Sequence, residues 1–306
     1  MKKASYICPA LTAFAADGSI DLDANRAFWA HLIKGGVSGI LISGSCGEFY
    51  TLTHEEKLAL TKACVEFADG RVEVLGGSGC NTLEETIQLS NEMLDIGADG
   101  VLIVSPYYFS LGDDAIVDYY AKVAAYVHGN VLIYNYPQRT GNDVNAHMLS
   151  ELLERADNIV GFKDTVSEIG HTRAIIEAVC HTNTEFRTFS GFDENFMHVL
   201  MAGGNGCIAG LSNVFPELAA AWIEAANNSD ISRIEMIQKA VDSLMSAYDI
   251  SPLFVPVFKR MVAKRGIPIK ARCRCTALGL GKEQVIAADD LFETGEKLLG
   301  TLGIIK

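Results

Sequence analysis

The chain has 306 residues, of which 49% are hydrophobic and 21% are charged, with 25 basic against 38 acidic side chains. This composition is typical of a globular protein with a large core, and a formal net charge of −13 without a basic cluster argues against nucleic-acid binding. The N-terminal Met1-Lys2-Lys3 is not followed by the apolar segment of a signal peptide, and no stretch reaches the roughly 20 apolar residues of a membrane span. We therefore expect a cytoplasmic protein that binds neither membranes nor nucleic acid.

Short apolar segments alternate along the chain with segments of helical periodicity. The predicted strands are 5–12, 40–42, 72–75, 101–104, 131–134, 159–163, 186–189 and 206–209. The predicted helices that follow them are 22–34, 53–68, 82–96, 114–127, 146–155, 168–180, 194–201 and 216–226. Capping-box patterns, Thr53-x-x-Glu56 and Thr82-x-x-Glu85, mark the starts of two helices. The strands rarely alternate between polar and apolar residues, as expected when both faces are covered.

A glycine-containing segment recurs where a helix ends and the next strand begins, at residues 36–40, 97–101 and 204–207. Its first two copies start 61 residues apart (97 − 36), about two βα units of roughly 30 residues. Eight such units predict a (β/α)8 TIM barrel over residues 1–228. An open doubly wound sheet is the alternative, although it more typically carries a Gly-rich fingerprint after the first strand, which is missing here.

Residues 229–306 contain no clear strand, and their periodicity predicts three further helices at 231–248, 253–264 and 282–299. We expect this segment to form a C-terminal helical appendage beside the barrel. The eight cysteines are scattered without a C-x-x-C pair, and no H-x-H or H-E-x-x-H spacing occurs. Most cysteines are therefore expected to be buried thiols in a reducing compartment, and we expect neither a metal nor another cofactor.

A lysine ends the apolar stretch 158–162. Strand alternation places Lys163 on the same face as Ile159 and Gly161. Burial disfavours the charged amine and lowers its pKa, and a neutral amine is what Schiff-base chemistry with a carbonyl requires. The alternative is a lysine whose head group reaches water at the strand end.

Active sites of such barrels lie at the carboxyl ends of the strands. Tyr134 and Lys163 end neighbouring strands, so the phenol and the amine are expected to converge, unless Tyr134 only lines the barrel. The segment 44–47 is a tight turn whose N–H groups suit a carboxylate, or a plain βα connection. Arg139 is either a second carboxylate-binding group or a surface side chain. Glu48 is expected to cap the turn or to be solvated.

Cys46 is a poor candidate nucleophile, because no histidine is placed to activate it and His54 falls in the following helix. We therefore do not expect covalent chemistry at Cys46.

Several motifs follow one another in the order of a known family: Pro9-Ala10-Leu11-Thr12-Ala13-Phe14 with Asp17-Gly18, Gly44-Ser45-Cys46-Gly47-Glu48, Ser105-Pro106-Tyr107-Tyr108, Tyr134-Asn135-x-Pro137, Gly161-Phe162-Lys163-Asp164 and Gly203-Gly204-x-Gly206-Cys207-Ile208. Together they resemble the dihydrodipicolinate synthase / N-acetylneuraminate lyase family of Schiff-base class I aldolases, nearly end to end. The resemblance implies that Lys163 forms an imine with pyruvate or another 2-oxo acid. Tyr134 is then the proton donor and acceptor.

The resemblance also implies roles for residues that the strand pattern leaves open. Ser45 and Tyr108 complete a proton relay, with Tyr108 reaching in from a neighbouring subunit. The turn of Ser45, Cys46 and Gly47 holds the pyruvate carboxylate, with Ile208 near the same end of the pocket. The family is usually tetrameric, so a homotetramer is expected.

Two features separate this chain from a typical synthase, and a third matches it. Cys46 stands where the synthases have threonine, and its thiol is a weaker hydrogen-bond partner. Phe49-Tyr50 and Lys163-Asp164-Thr165 resemble the branch that cleaves 2-keto-3-deoxy sugar acids. Arg139-Thr140-Gly141 instead matches the synthases, in which this arginine binds the carboxylate of the aldehyde substrate.

The predicted function is a pyruvate-dependent, dihydrodipicolinate synthase-like aldolase or lyase that condenses or cleaves pyruvate and an aldehyde. A 2-keto-3-deoxy sugar-acid aldolase is nearly as well supported. A hydratase or dehydratase that uses the same imine, and a non-catalytic sensor of 2-oxo acids, are further alternatives. A sensor needs neither Lys163 nor Tyr134, which argues against it.

Overall fold

In the computed structural model, which describes residues 2–180, 183–275 and 279–305, eight strands form a closed barrel in sequence order. The strands are β1 Ser5–Pro9, β2 Gly39–Ile42, β3 Glu73–Gly77, β4 Gly100–Val104, β5 Val131–Asn135, β6 Ile159–Asp164, β7 Arg187–Ser190 and β8 Gly206–Ile208. Neighbouring strands pair in parallel. The predicted TIM barrel is confirmed, and the open doubly wound sheet is wrong.

The helices follow the strands as the periodicity predicts. They are α1 Leu22–Gly35, α2 His54–Ala68, α3 Leu83–Asp95, α4 Asp113–Tyr126, α5 Pro137–Thr140, α6 Ala146–Arg155, α7 Ile169–Val179, α8 Phe196–Ala202, α9 Pro216–Asn227, α10 Ile231–Leu244, α11 Val255–Lys264 and α12 Lys282–Thr301. The short helix α5 was not predicted, and it begins with a proline, which suits the first helical position. No helix of the described residues is long and apolar enough to cross a membrane.

Local signals set several helix boundaries. At Thr53 the capping box is complete, since Glu56 N donates to the threonine hydroxyl at 3.2 Å and Thr53 N donates to the Glu56 carboxylate at 3.0 Å. Glycines with positive φ end α1 at Gly36 (90°) and α8 at Gly203 (101°), and Gly97 (107°) follows α3. The third cap thus lies one residue before the predicted Gly204, at a position where a side chain would be strained.

Two compact units make up the chain. The first unit comprises Met1–Ser5 and Glu73–Ile208. Its core includes the fully buried Val101, Ile133 and Phe162, which occupy the central strands β4, β5 and β6. In this unit Tyr134 pairs with Lys163 in strand register.

The second unit comprises Tyr6–Val72 and Ala209–Lys306, and it therefore contains all three C-terminal helices. Gly295 lets α12 approach closely, because a Cβ at this position would lie 2.3 Å from the Phe215 ring. Phe215 in turn stacks on Phe292, with ring centroids 6.0 Å apart. The division into residues 1–228 and 229–306 stays a prediction.

Candidate active site

Lys163 and Tyr134 lie side by side at the carboxyl ends of β6 and β5. The Lys163 amine sits 4.0 Å from the centroid of the Tyr134 ring, and the two residues are only 4% and 5% exposed. A buried lysine loses most of its hydration, which favours the neutral amine, while the electron-rich ring face favours the cation. The structure therefore brings the buried amine of Lys163 against the ring of Tyr134.

A buried thiol lies near this amine. Cys207 on β8 is fully buried, and burial raises the pKa of its thiol well above the ordinary value, while the Lys163 charge acts in the opposite direction. The thiol donates to the carbonyl of Phe192 at 3.2 Å. Cys207 is thus held as a neutral, hydrogen-bonded thiol, which makes it unsuited to act as a nucleophile.

Asp164 is fully buried and follows Lys163 directly on β6. Three side chains donate hydrogen bonds to its carboxylate: Asn135 Nδ2 at 3.0 Å, His171 Nδ1 at 2.9 Å and Thr172 Oγ1 at 2.7 Å. Asn135 also donates to Asp143 at 2.9 Å, and its own oxygen accepts from Val144 N at 3.0 Å. We call Asp164, Asn135, His171, Thr172 and Asp143 the Asp164 cluster.

His171 is the titratable donor of the Asp164 cluster. The hydrogen bond to Asp164 raises the pKa of His171 above its ordinary value, against the opposing effect of burial, and the charges of Asp164, Asp143 and Glu168 add to the increase. Its Nε2 lies 3.4 Å from Asp143 Oδ1. Since a carboxylate only accepts, Nδ1 carries the hydrogen shared with Asp164.

The other predicted site residues of this unit differ in exposure. Ile208 ends β8 and is fully buried. Arg139 is exposed on α5, with its guanidinium carbon 5.9 Å from the centroid of the Tyr136 ring. Tyr108 is 86% exposed and has a φ of 93°, and its ring contacts Phe109 edge-on at 5.0 Å. The structure of this unit thus brings Tyr134 and Lys163 together and leaves Tyr108 at the surface.

Ser45, Cys46 and Gly47 belong to the second unit, in the turn after β2. Phe49 N donates to Gly44 O at 3.3 Å, which closes the turn. Gly47 is required here, because a Cβ would lie 2.9 Å from the Ala10 carbonyl oxygen. The residue after Gly47 is Glu48, whose surroundings differ from those predicted.

Glu48 is fully buried, so the expectation that it is solvated is wrong. It does not act as an N-terminal side-chain cap of the following short helix either. One carboxylate oxygen lies 2.5 Å from Lys259 Nζ, and the other accepts from Arg274 N at 2.8 Å. Lys259 is also fully buried and donates to Arg272 O at 3.0 Å. A buried ion pair therefore anchors the end of the turn to α11 and to the segment before α12.

Arg274 extends this anchor. Its guanidinium donates to both oxygens of Glu56 at 2.6 and 2.7 Å, and it lies 4.5 Å from the centroid of the Phe14 ring. These hydrogen bonds lower the pKa of Glu56. We call Glu48, Lys259, Arg274 and Glu56 the Glu48 cluster. Among the residues that the structure describes, no group of three or more His, Cys, Asp or Glu side chains is arranged to hold a metal ion.

Comparison with known proteins agrees with this fold and motif order. The chain belongs to the dihydrodipicolinate synthetase family, which it matches over residues 2–290. It is 32% identical over 274 residues to the probable 2-dehydro-3-deoxy-D-pentonate aldolase YjhH of Escherichia coli K12, covering 89% of this chain and 91% of that protein. It is 36% identical over 256 residues to the 4-hydroxy-tetrahydrodipicolinate synthase of Methanoculleus marisnigri, covering 83% of this chain and 87% of that protein.

A solved structure gives the same result. The crystal structure of YagE, a member of the dihydrodipicolinic acid synthase family from E. coli K12, in complex with pyruvate, matches with a TM-score of 0.91 and 29% sequence identity. The match covers 100% of both chains. The predicted family is therefore confirmed, and with it the general class of a pyruvate-dependent class I aldolase.

Most residues of the two buried clusters were not predicted from the sequence. The Lys163-Asp164 motif was noted, but nothing in the sequence indicated that His171 and Asn135 converge on Asp164. Lys259 lies 211 positions after Glu48 in the chain, so no local pattern predicted their pairing. One chemical signal was present: Glu48 and Asp164 both lie in motifs near the ends of barrel strands, and a carboxylate that is buried there needs hydrogen-bond donors or a cation beside it.

Proposed function

We propose that the protein condenses pyruvate with an aldehyde, or cleaves a 2-oxo acid into these two compounds, through an imine on Lys163. The observation that carries this proposal is the buried Lys163 amine 4.0 Å from the Tyr134 ring centroid, in a chain of this family. The neutral amine adds to the ketone carbon of pyruvate, and loss of water from the carbinolamine gives the imine. Removal of a proton from the methyl carbon then gives the enamine that attacks the aldehyde.

Proton transfer in these steps is assigned to Tyr134, with Ser45 and Tyr108 completing the relay. A proton is delivered to the departing hydroxyl and later removed from the attacking water, and a phenol is able to donate in the first step and accept in the second. Hydrolysis of the product imine regenerates the Lys163 amine. In the cleavage direction the same steps run in reverse.

The carboxylate of pyruvate is assigned to the turn of Ser45, Cys46 and Gly47, with Ile208 near that end of the substrate. The tight backbone of this turn supports the assignment, since successive N–H groups bind anions well. Because the Cys46 thiol is a weaker partner than a hydroxyl, backbone N–H groups carry more of the binding. Arg139 is assigned to a carboxylate on the second substrate, and its exposure on α5 leaves it accessible to solvent.

A second candidate function is cleavage of 2-keto-3-deoxy sugar acids. It is favoured by the similarity to proteins named as 2-dehydro-3-deoxy-D-pentonate and 2-dehydro-3-deoxy-D-gluconate aldolases, each 32% identical to this chain. The bulky Phe49 and Tyr50 after the carboxylate-binding turn agree with this function. Arg139 instead favours an acidic aldehyde, as in a synthase.

We further propose a cytoplasmic homotetramer. Tyr108 supports the assembly, because a non-glycine residue at a φ of 93° is strained and a ring that is 86% exposed is available to a neighbouring subunit. The free cysteines support a reducing compartment. Sedimentation and turnover are measured for the wild type and for Tyr108→Ala. A loss of both in the variant would show that assembly and activity are linked.

The experiment that tests the proposed function is reductive trapping. Borohydride with pyruvate is expected to add one reduced pyruvate at Lys163, identified by peptide mass spectrometry, and Lys163→Ala is expected to show none. Absence of an adduct in the wild type, or an adduct elsewhere, would overturn the mechanism. A panel of aldehydes with pyruvate, and of 2-oxo acids alone, then distinguishes the synthase, the sugar-acid aldolase and a dehydratase by their products.

A further inference from the structure

The Asp164 cluster lies one peptide away from both proposed catalytic side chains. Tyr134 pairs with Lys163 in strand register, and the next residues, Asn135 and Asp164, pair in the same way. Because side chains alternate faces along a strand, Asn135 and Asp164 point away from the face that carries the amine and the phenol. Their hydrogen bond of 3.0 Å ties the carboxyl ends of β5 and β6 together behind that face.

The cluster also contains a buried charge that needs compensation. Asp164 is fully buried, and an uncompensated carboxylate next to Lys163 would favour the ammonium form of the lysine, which cannot attack a carbonyl. His171 contacts this carboxylate at 2.9 Å through Nδ1. When it is protonated, His171 offsets the charge of Asp164, and neutral Asn135 and Thr172 complete the hydrogen bonds of the carboxylate.

We propose that His171 is a positioning residue that acts through Asp164: it fixes the strand ends that carry Tyr134 and Lys163, and its positive charge keeps the Lys163 amine free to form the imine. This inference rests on the proposed function and assigns a role to a residue outside the face that binds substrate. The charged groups that face His171 are Asp164 on β6, Asp143 before α6 and Glu168 before α7. All three are acidic, so His171 is the cation of this group.

The two contributions are separable by substitution. In His171→Asn the side-chain amide replaces Nδ1 as donor to Asp164, while the positive charge is removed. In His171→Leu both the donor and the charge are removed. His171→Lys restores a positive charge, and Thr172→Val removes a different donor to Asp164 and leaves the charge of His171 in place.

The readout is imine formation as a function of pH. Wild type and variants are incubated with pyruvate and cyanoborohydride between pH 5 and 9, and the adduct at Lys163 is followed by intact mass. In His171→Asn we expect the acid-side midpoint to rise by roughly 0.5–1 pH unit, the size of a screened charge–charge effect inside a protein. At alkaline pH the variant should match the wild type. His171→Lys should move the midpoint back toward the wild-type value.

Hydrogen-bond loss without charge loss should behave differently. In Thr172→Val we expect the midpoint to stay in place while kcat falls and KM for pyruvate changes little. His171→Leu should show both the shift and the lower kcat. His147→Asn is the matched control, because His147 is an exposed histidine in the first turn of α6, and its profile should coincide with the wild type.

The outcomes distinguish this inference from the proposed function. A wild-type adduct at Lys163 with coincident profiles for wild type and His171→Asn overturns the inference alone. Absence of any adduct in the wild type overturns the proposed function and the inference with it. If thermal unfolding shows that His171→Asn is not folded, His171→Gln provides the neutral variant, and an unchanged midpoint in that protein is equally decisive.

Discussion

The carboxylates of Glu48 and Asp164 are both fully buried near the carboxyl end of a strand, but they are compensated by different kinds of partner. Glu48 faces Lys259, a fully buried cation 2.5 Å away, and the backbone N–H of Arg274. Asp164 faces two neutral donors and a histidine. The ordinary pKa of histidine lies close to physiological pH, so the second cluster contains a partner that titrates near that pH.

This difference separates an anchor built on a buried ion pair from one that contains a histidine. The Glu48 cluster holds a turn that is proposed to bind one carboxylate. The Asp164 cluster lies behind a lysine that must be neutral to react, and there a titratable partner changes the balance of charge. The comparison therefore predicts that substitutions in the two clusters differ in size and in their dependence on pH.

The largest effect is expected for Lys259→Ala. Removing one partner of a buried pair leaves an uncompensated charge, which typically costs about 3–5 kcal/mol of the free energy of unfolding. Urea unfolding at neutral pH measures this loss. The double variant Glu48→Gln/Lys259→Met should recover most of it, because neither charge then remains buried. A loss below about 1 kcal/mol in Lys259→Ala would mean that Glu48 finds another partner.

A smaller loss of stability is expected for Thr172→Val. The valine keeps the shape of the side chain but removes the donor to Asp164, and a hydrogen bond to a charged group contributes roughly 1.5–3 kcal/mol. Urea unfolding measures the loss, with Thr294→Val on α12 as the surface control. Equal stabilities of the two variants would show that the Asp164 cluster is already satisfied without Thr172.

Arg139→Ala tests a charge that lies outside both clusters. The exposed arginine should contribute little to the free energy of unfolding. Loss of the two parallel hydrogen bonds from its guanidinium to a carboxylate should raise KM for an acidic second substrate about tenfold, equivalent to roughly 1.4 kcal/mol. KM for pyruvate should stay nearly constant, and Arg139→Lys should rescue only part of the loss. An increase in KM for pyruvate alone would reverse the assignment of the two carboxylate sites.

The smallest effect is the pH dependence of stability. The pKa of His171 is raised in the folded state by its bond to Asp164, so its contribution is fully present below the ordinary histidine pKa of about 6.5. It is lost as the pH rises through the raised folded-state pKa. We expect the loss to be about 0.2–1 kcal/mol, the range of partly solvated ion pairs. Unfolding of the wild type between pH 5.5 and 9 should show this decline, and His171→Asn should lack it.

Prediction from the sequence succeeded where the signals are local. The capping box at Thr53 and the glycine caps at Gly36 and Gly97 operate within one turn of a helix, and they marked boundaries that the structure reproduces. The apolar strand before Lys163 left a buried amine and an amine that reaches water as alternatives, and the structure shows the residue buried. The prediction that Glu48 caps the turn or is solvated was wrong, because the sequence around the turn does not indicate the distant Lys259 that pairs with it.

The sequence by itself determined the order of the eight strands and of the helices other than α5, because periodicity needs only short-range information, and the order of its motifs indicated the family. The pairing of Tyr134 with Lys163 was predicted from the rule that consecutive strands of such a barrel are neighbours. Only the tertiary structure decided how the buried charges are compensated. Lys259 reaches Glu48 across 211 positions of sequence, whereas His171 contacts Asp164 from the first turn of α7, which begins beside the end of β6. A buried carboxylate needs partners in space, and their distance along the chain is set by the fold.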